Sequence, residues 1–123
     1  MPTVPPISIV DDDLDFRSSL EDLIRSAGLR AQAFSSAEEF LRSNQMHETS
    51  CLILDVHMPG MSGLELQRKM VVANSDMPII FVTALEDADQ RTQTLEAGAV
   101  AFLYKPLYEE ELLNAIDASL ESS

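Results

Sequence analysis

The sequence predicts a three-layer α/β fold, a doubly wound parallel sheet of five strands with helices on both faces. Three observations carry this. Short apolar runs alternate five times with segments of helical spacing, and no linker between them is long. Alternation of this kind, with right-handed crossovers, distributes helices over both faces of a parallel sheet. The run Cys51-Leu52-Ile53-Leu54 is continuously apolar rather than alternating, as expected of a strand covered on both faces. Polar residues stand at the ends of the runs, which in a parallel sheet share one edge.

Residues Met1 to Pro6 hold three prolines and are expected to form a loose leader. Ile7-Ser8-Ile9-Val10 is the first strand and stops at Asp11-Asp12-Asp13. From Leu14 the apolar residues Phe16, Leu20, Leu23, Ile24 and Ala27 keep helical spacing, and Gly28 supplies a stop. Leu29 to Phe34 contains a weaker strand. Ser35 or Ser36 caps a second helix carrying Glu38 and Glu39 in its first turn, where acids are favoured. The central run reaches Asp55, and a turn rich in Pro and Gly follows. Leu64 to Ala73 reads as the third helix and Met77 to Val82 as the fourth strand, ending at Thr83. Asp87 to Ala97 is the fourth helix, closed by Gly98. Val100 to Tyr104 is the fifth strand, ending at Lys105-Pro106. The last helix covers Tyr108 to Leu120, with Leu112, Leu113, Ile116 and Leu120 on one stripe.

At 123 residues the chain fits one domain, and no repeat or composition break divides it. A hydrophobic fraction of 46% with 24% charged residues is that of a soluble globular protein. The formal net charge of −13 opposes direct nucleic-acid binding. The single cysteine, Cys51, lies in an apolar run and reads as a buried, inert thiol. No segment has transmembrane length or signal-peptide character, so a cytoplasmic location is expected. Metal-thiolate patterns, glycine-rich nucleotide loops and serine-nucleophile elbows are missing from the sequence.

The shared carboxyl edge of the strands gathers Asp11, Asp12 and Asp13, then Asp55, Thr83 and Lys105. Each has a plainer reading by itself. Asp11 or Asp13 can cap the helix that follows, Asp55 can start a turn, Thr83 can be a strand-end hydroxyl, and Lys105 a solvated charge. The four motifs Val10-Asp11-Asp12-Asp13, Asp55-Val56-His57-Met58-Pro59-Gly60-Met61-Ser62-Gly63, Thr83-Ala84 and Lys105-Pro106 occur in order at strand ends. Together they resemble the response-regulator receiver domains of the CheY-like, flavodoxin-like superfamily, over Ile7 to Leu120.

The resemblance implies a single receiver domain over residues 1–123, strand order 2-1-3-4-5 and a phosphoryl group carried on Asp55. It implies Mg²⁺, with Mn²⁺ as the alternative ion, bound by Asp12, Asp55 and the backbone carbonyl of His57, with Asp11 acting chiefly through water. The physics of these roles is sound: a carboxylate can attack phosphorus, and clustered acids call for a hard divalent cation. Lys105 can pair with Asp55 and later with a phosphoryl oxygen, and Thr83 can donate its hydroxyl. The family pattern also suggests a cis Lys105-Pro106 bond and a switch made of Thr83 and Phe102, against the plainer reading of Phe102 as a core ring. Asp13 is assigned to capping.

The expected function is thus a phosphoacceptor in two-component signalling. It takes phosphate from the phosphohistidine of a sensor histidine kinase or phosphotransfer protein and switches conformation to control an output. Catalysis is limited to self-phosphorylation and slow autodephosphorylation. A homodimer through the face of the fourth helix, fifth strand and fifth helix is a further expectation, and Tyr104 with Tyr108 is read as an exposed contact patch. His57 and Leu85 depart from the common pattern and suggest a long-lived phosphoryl state, or simply cover the pocket rim. Two competitors are a small phosphatase of haloacid-dehalogenase type and a phosphate-independent binding module. The first expects an acid where His57 stands, and the second is disfavoured by the intact set of polar residues.

Overall fold

The structure, a computed structural model, describes residues 5–43, 48–73, 75–84 and 88–121. Five strands, β1 (Ile7–Val10), β2 (Ala31–Phe34), β3 (Cys51–Asp55), β4 (Ile79–Thr83) and β5 (Ala101–Tyr104), alternate with five helices. These are α1 (Leu14–Ser26), α2 (Ala37–Arg42), α3 (Gly63–Val72), α4 (Ala88–Glu96) and α5 (Glu109–Glu121). The strands form one parallel sheet of order β2-β1-β3-β4-β5, as expected.

Two apolar clusters lie on opposite faces of the sheet. One joins Leu52, Leu54, Ile79, Phe81 and Phe102 to Phe40 of α2 and to Leu66 and Met70 of α3. The other joins Ile7, Ile9, Cys51, Ile53, Ile80 and Val82 to Leu20 and Ile24 of α1 and to Leu112 and Ile116 of α5. Successive residues of each central strand serve opposite clusters, and this requires the unbroken apolar runs of β3 and β4.

Helix starts follow local chemistry. The Asp13 side chain accepts the N–H groups of Asp15 and Phe16 and so caps α1. Ser36, rather than Ser35, caps α2 through the Glu39 N–H. Ser62 and Glu65 form a reciprocal capping box at the start of α3.

The differences from the sequence-based boundaries have physical causes. Met77 and Pro78 precede β4 rather than open it. The Pro78 carbonyl still accepts the Leu52 N–H at 2.9 Å, but a proline has no N–H with which to continue the ladder. The leader is not loose at its end. Pro6 is buried and its carbonyl takes the Ser50 N–H, while the Pro5 carbonyl takes the Ser50 hydroxyl. Residues 1–4 lie outside the described residues, as do Leu85 and Asp87.

Candidate functional site

The alternation of side chains along each strand decides which strand-end groups can meet. Asp11 continues the row of Ile7 and Ile9, Asp55 that of Cys51 and Ile53, and Lys105 that of Ala101 and Leu103, all on the side covered by α1 and α5. Asp11, Asp12 and Asp55 each offer a carboxylate oxygen within 4.8 Å of the others. Asp11 and Asp55 are buried, while Asp12 is exposed. The register places Asp55 beside Val82, so Thr83 follows one residue beyond it, fully buried.

Charge is distributed unevenly over this cluster. Lys105 Nζ donates to Asp11 Oδ2 at 2.9 Å, so among the described residues its ion pair is with Asp11, while its charge also acts on Asp55, the partner read from sequence. The same ammonium lies 4.1 Å from the centroid of the Phe16 ring on α1. Asp11 also accepts the Asp13 N–H, and its carbonyl accepts from Arg17 Nη1 at 2.8 Å. The Lys105 N–H donates to the Thr83 carbonyl at 2.8 Å, tying the lysine segment to the end of β4. The Lys105-Pro106 peptide is cis, as the motif suggested.

Asp55 carries the consequence. Burial, then the neighbouring Asp11 charge, push its carboxyl up to about 7. Lys105 and the His57 backbone N–H oppose that rise, and Asp12 adds to it. A group that ordinary solvent would ionise near pH 4 is thus held half-protonated near neutrality. The donor set is all oxygen, and its excess negative charge fits a hard divalent cation such as Mg²⁺.

Two residues that matter here were not singled out from sequence. Gly63 opens α3, and a Cβ at that position would overlap the Asp55 carbonyl oxygen. Its N–H donates to the Val56 carbonyl at 3.0 Å, closing the loop that follows the acid. In the sequence Gly63 stood only as the last residue of the motif that begins at Asp55. Phe16 was read from periodicity as a core residue, yet it supports the Lys105 ammonium. Of the other candidates, His57 is exposed two residues past Asp55. Phe102 is 6% exposed, its ring 6.3 Å from that of Phe81 and 5.5 Å from that of Tyr104. Tyr104 is therefore half-buried against Phe102 rather than part of an exposed pair. Tyr108 is exposed.

Residues 7–117 match the family model of the response regulator receiver domain. Nodulation protein W of Bradyrhizobium diazoefficiens is 44% identical over 115 residues, covering 94% of this chain and 51% of its own length. The response regulator protein TodT of Pseudomonas putida is 45% identical, with 94% and 51% covered. The chain thus spans about half the length of these curated relatives. Among solved structures, FixJ-N superposes with a TM-score of 0.87 at 30% identity, covering all of this chain and 97% of the other. The BeF3-activated DrrB receiver domain gives 0.86 at 28% identity, with 97% and 99% covered. These relatives favour neither a haloacid-dehalogenase-type phosphatase nor a phosphate-independent binding module. The chain belongs to the response regulator receiver domain family, the phosphoacceptor domains of two-component systems.

Proposed function

We propose that Asp55 is the phosphoacceptor and that Asp11, Asp12 and the His57 carbonyl complete a Mg²⁺ site around it. The observation that carries this reading is the convergence of three carboxylates within 4.8 Å at the carboxyl edge of the sheet, beside a lysine held in place. Asp12, Asp55 and the His57 backbone carbonyl would hold the ion, Asp11 would act chiefly through water, and Mn²⁺ could take its place. When bound, the cation offsets the charge of the phosphoryl oxygens and of the carboxylates that face them.

The chain's own residues do the rest. An Asp55 carboxylate oxygen forms the bond to phosphorus while the phosphorus–nitrogen bond to the donor's phosphohistidine breaks. The imidazole leaves with the electron pair and regains its proton from solvent. Lys105, fixed by Asp11 and Phe16, supplies positive charge beside the acceptor, and the Thr83 hydroxyl donates to a phosphoryl oxygen. The gain of about −1.5 to −2 charge then shifts the balance between two conformations. Thr83 and Phe102 form the switch. The Phe102 ring is turned inward against Phe81 and Tyr104, which supports this role.

The donor is a sensor histidine kinase or a phosphotransfer protein in the cytoplasm, and residues 1–123 act as one receiver domain. The output passes through the α4–β5–α5 face, where a second copy can pair and where Tyr108 is exposed. With a net charge of −13 this chain does not itself bind nucleic acid. Its chemistry is confined to its own phosphorylation and slow dephosphorylation. His57 leaves no second acid for a phosphatase mechanism of the haloacid-dehalogenase kind, and Leu85, the other residue tied to phosphoryl lifetime, lies outside the described residues.

The test is to incubate wild type and Asp55→Ala with acetyl phosphate and Mg²⁺ and to follow intact mass. Covalent phosphate on the wild type alone, lost when Mg²⁺ is withheld, is the expected result. Label on both proteins, or on neither, contradicts the assignment.

A further inference from the structure

Glu38 sits in the first turn of α2, where an acid needs no special explanation, since a solvated carboxylate already interacts well with a helix N-terminus. Its carboxylate is not solvated in that way. Oε2 accepts the backbone N–H of Met61 at 3.3 Å, across from α2 to the loop between β3 and α3. The same oxygen occupies the space beside Gly60, where a Cβ would come within 2.5 Å of it. Gly60 itself has φ of +76°, so glycine serves both the turn and the approach of the acid. The second oxygen, Oε1, is buried with no hydrogen-bond partner among the described residues. Burying a polar atom unpaired costs free energy that α2 alone gives no reason to spend.

The loop that Glu38 reaches is the one that shapes the acceptor. Its first residues, Val56 and His57, donate respectively to the Val82 carbonyl and to the Asp55 carboxylate. Its far end is closed by the Gly63 N–H on the Val56 carbonyl. Met58 packs into the core between these points. Among the described residues, Glu38 makes the side-chain hydrogen bond that reaches this loop from another helix.

We propose that Glu38 is a positioning residue for the cation site, clamping the 57–61 loop so that the His57 carbonyl faces Asp12 and Asp55. This rests on the Mg²⁺ site proposed above. Glu38 touches neither the ion nor the phosphoryl group; it acts through the Met61 N–H.

Mg²⁺ titrations by calorimetry on the phosphate-free protein separate a clamp from a simple charge effect. Glu38→Asp keeps the charge but is too short to reach Met61, whereas Glu38→Gln loses the charge and keeps an acceptor of the right reach. The clamp predicts that Glu38→Asp and Glu38→Ala raise the dissociation constant about tenfold, while Glu38→Gln stays within about twofold of wild type. Thermal melts in EDTA verify that each variant is folded. The reverse order, with Glu38→Asp near wild type and Glu38→Gln weakened, overturns the clamp in favour of charge alone. Unchanged binding in all three variants also overturns it, provided that Asp12→Asn loses Mg²⁺. If Asp12→Asn binds as tightly as wild type, the cation site itself is misassigned.

Discussion

Asp55 is ionised only at a cost in the metal-free protein, because it is buried next to Asp11 and the Lys105 ammonium is engaged by that neighbour. The sign of the pH dependence follows from its carboxyl rising from 3.8 to about 7 on folding. The folded state binds the proton more tightly, so this group's contribution is fully present below about pH 4 and is lost as pH rises through 7. Asp55→Asn removes that dependence. In EDTA it is expected to stabilise the protein by about 1–3 kcal/mol at pH 8 and by little at pH 4, as read from urea midpoints. An equal gain at both pH values would show that the carboxylate carries no such penalty. Cys51 illustrates the opposite case, a buried group with no chemical task. Burial pushes its thiol up to about 11 despite a hydrogen bond with Ser119, in keeping with the inert role read from its apolar run. Both the acid and the thiol were legible as single residues. The partner of Lys105 was not, because pairing across 94 positions of sequence is set by tertiary packing and not by any local pattern.

Elements differ in how much of their stability is local. α3 begins with the Ser62–Glu65 capping box directly after the loop that follows Asp55. Ser62→Ala is expected to cost about 1 kcal/mol, with a lower urea midpoint and an unchanged slope. A loss within error would mean that tertiary packing alone starts this helix. α4 is the contrasting element, since Thr94 is its one buried residue among those described. Its tie to α3 is polar, with Gln67 Nε2 donating to the Thr94 carbonyl at 3.1 Å. Leu95 adds a partly buried apolar contact with the core cluster on that face of the sheet. Strand and helix identities were readable from periodicity and capping residues, and boundaries shifted by only a few positions. The shift at β4 arises because a proline interrupts the ladder while still accepting one bond from it. The half-burial of Tyr104 was not readable, since an aromatic at a strand end carries no sign of whether another ring will cover it.

At the scale of the whole molecule, an acidic chain of net charge −13 concentrates three of its carboxylates at one point. A divalent cation that binds there and not to the unfolded chain must stabilise the fold. At a Mg²⁺ concentration about 100 times its dissociation constant the gain is about 2.7 kcal/mol, visible as a rise in melting temperature. Sodium chloride at matched ionic strength is expected to give a smaller rise, and Asp12→Asn to abolish the specific part. An identical response to both salts would reduce the effect to screening of surface charge. The sequence by itself determined the parallel α/β class and the set of polar residues at the strand ends, because both depend on local periodicity and on strands that all run the same way. Tertiary structure decided which of those residues touch. The pairing of Lys105 with Asp11, the need for a glycine against the Asp55 carbonyl and the reach of Glu38 to Met61 depend on distances between separate elements. Packing sets those distances, and no local pattern records them.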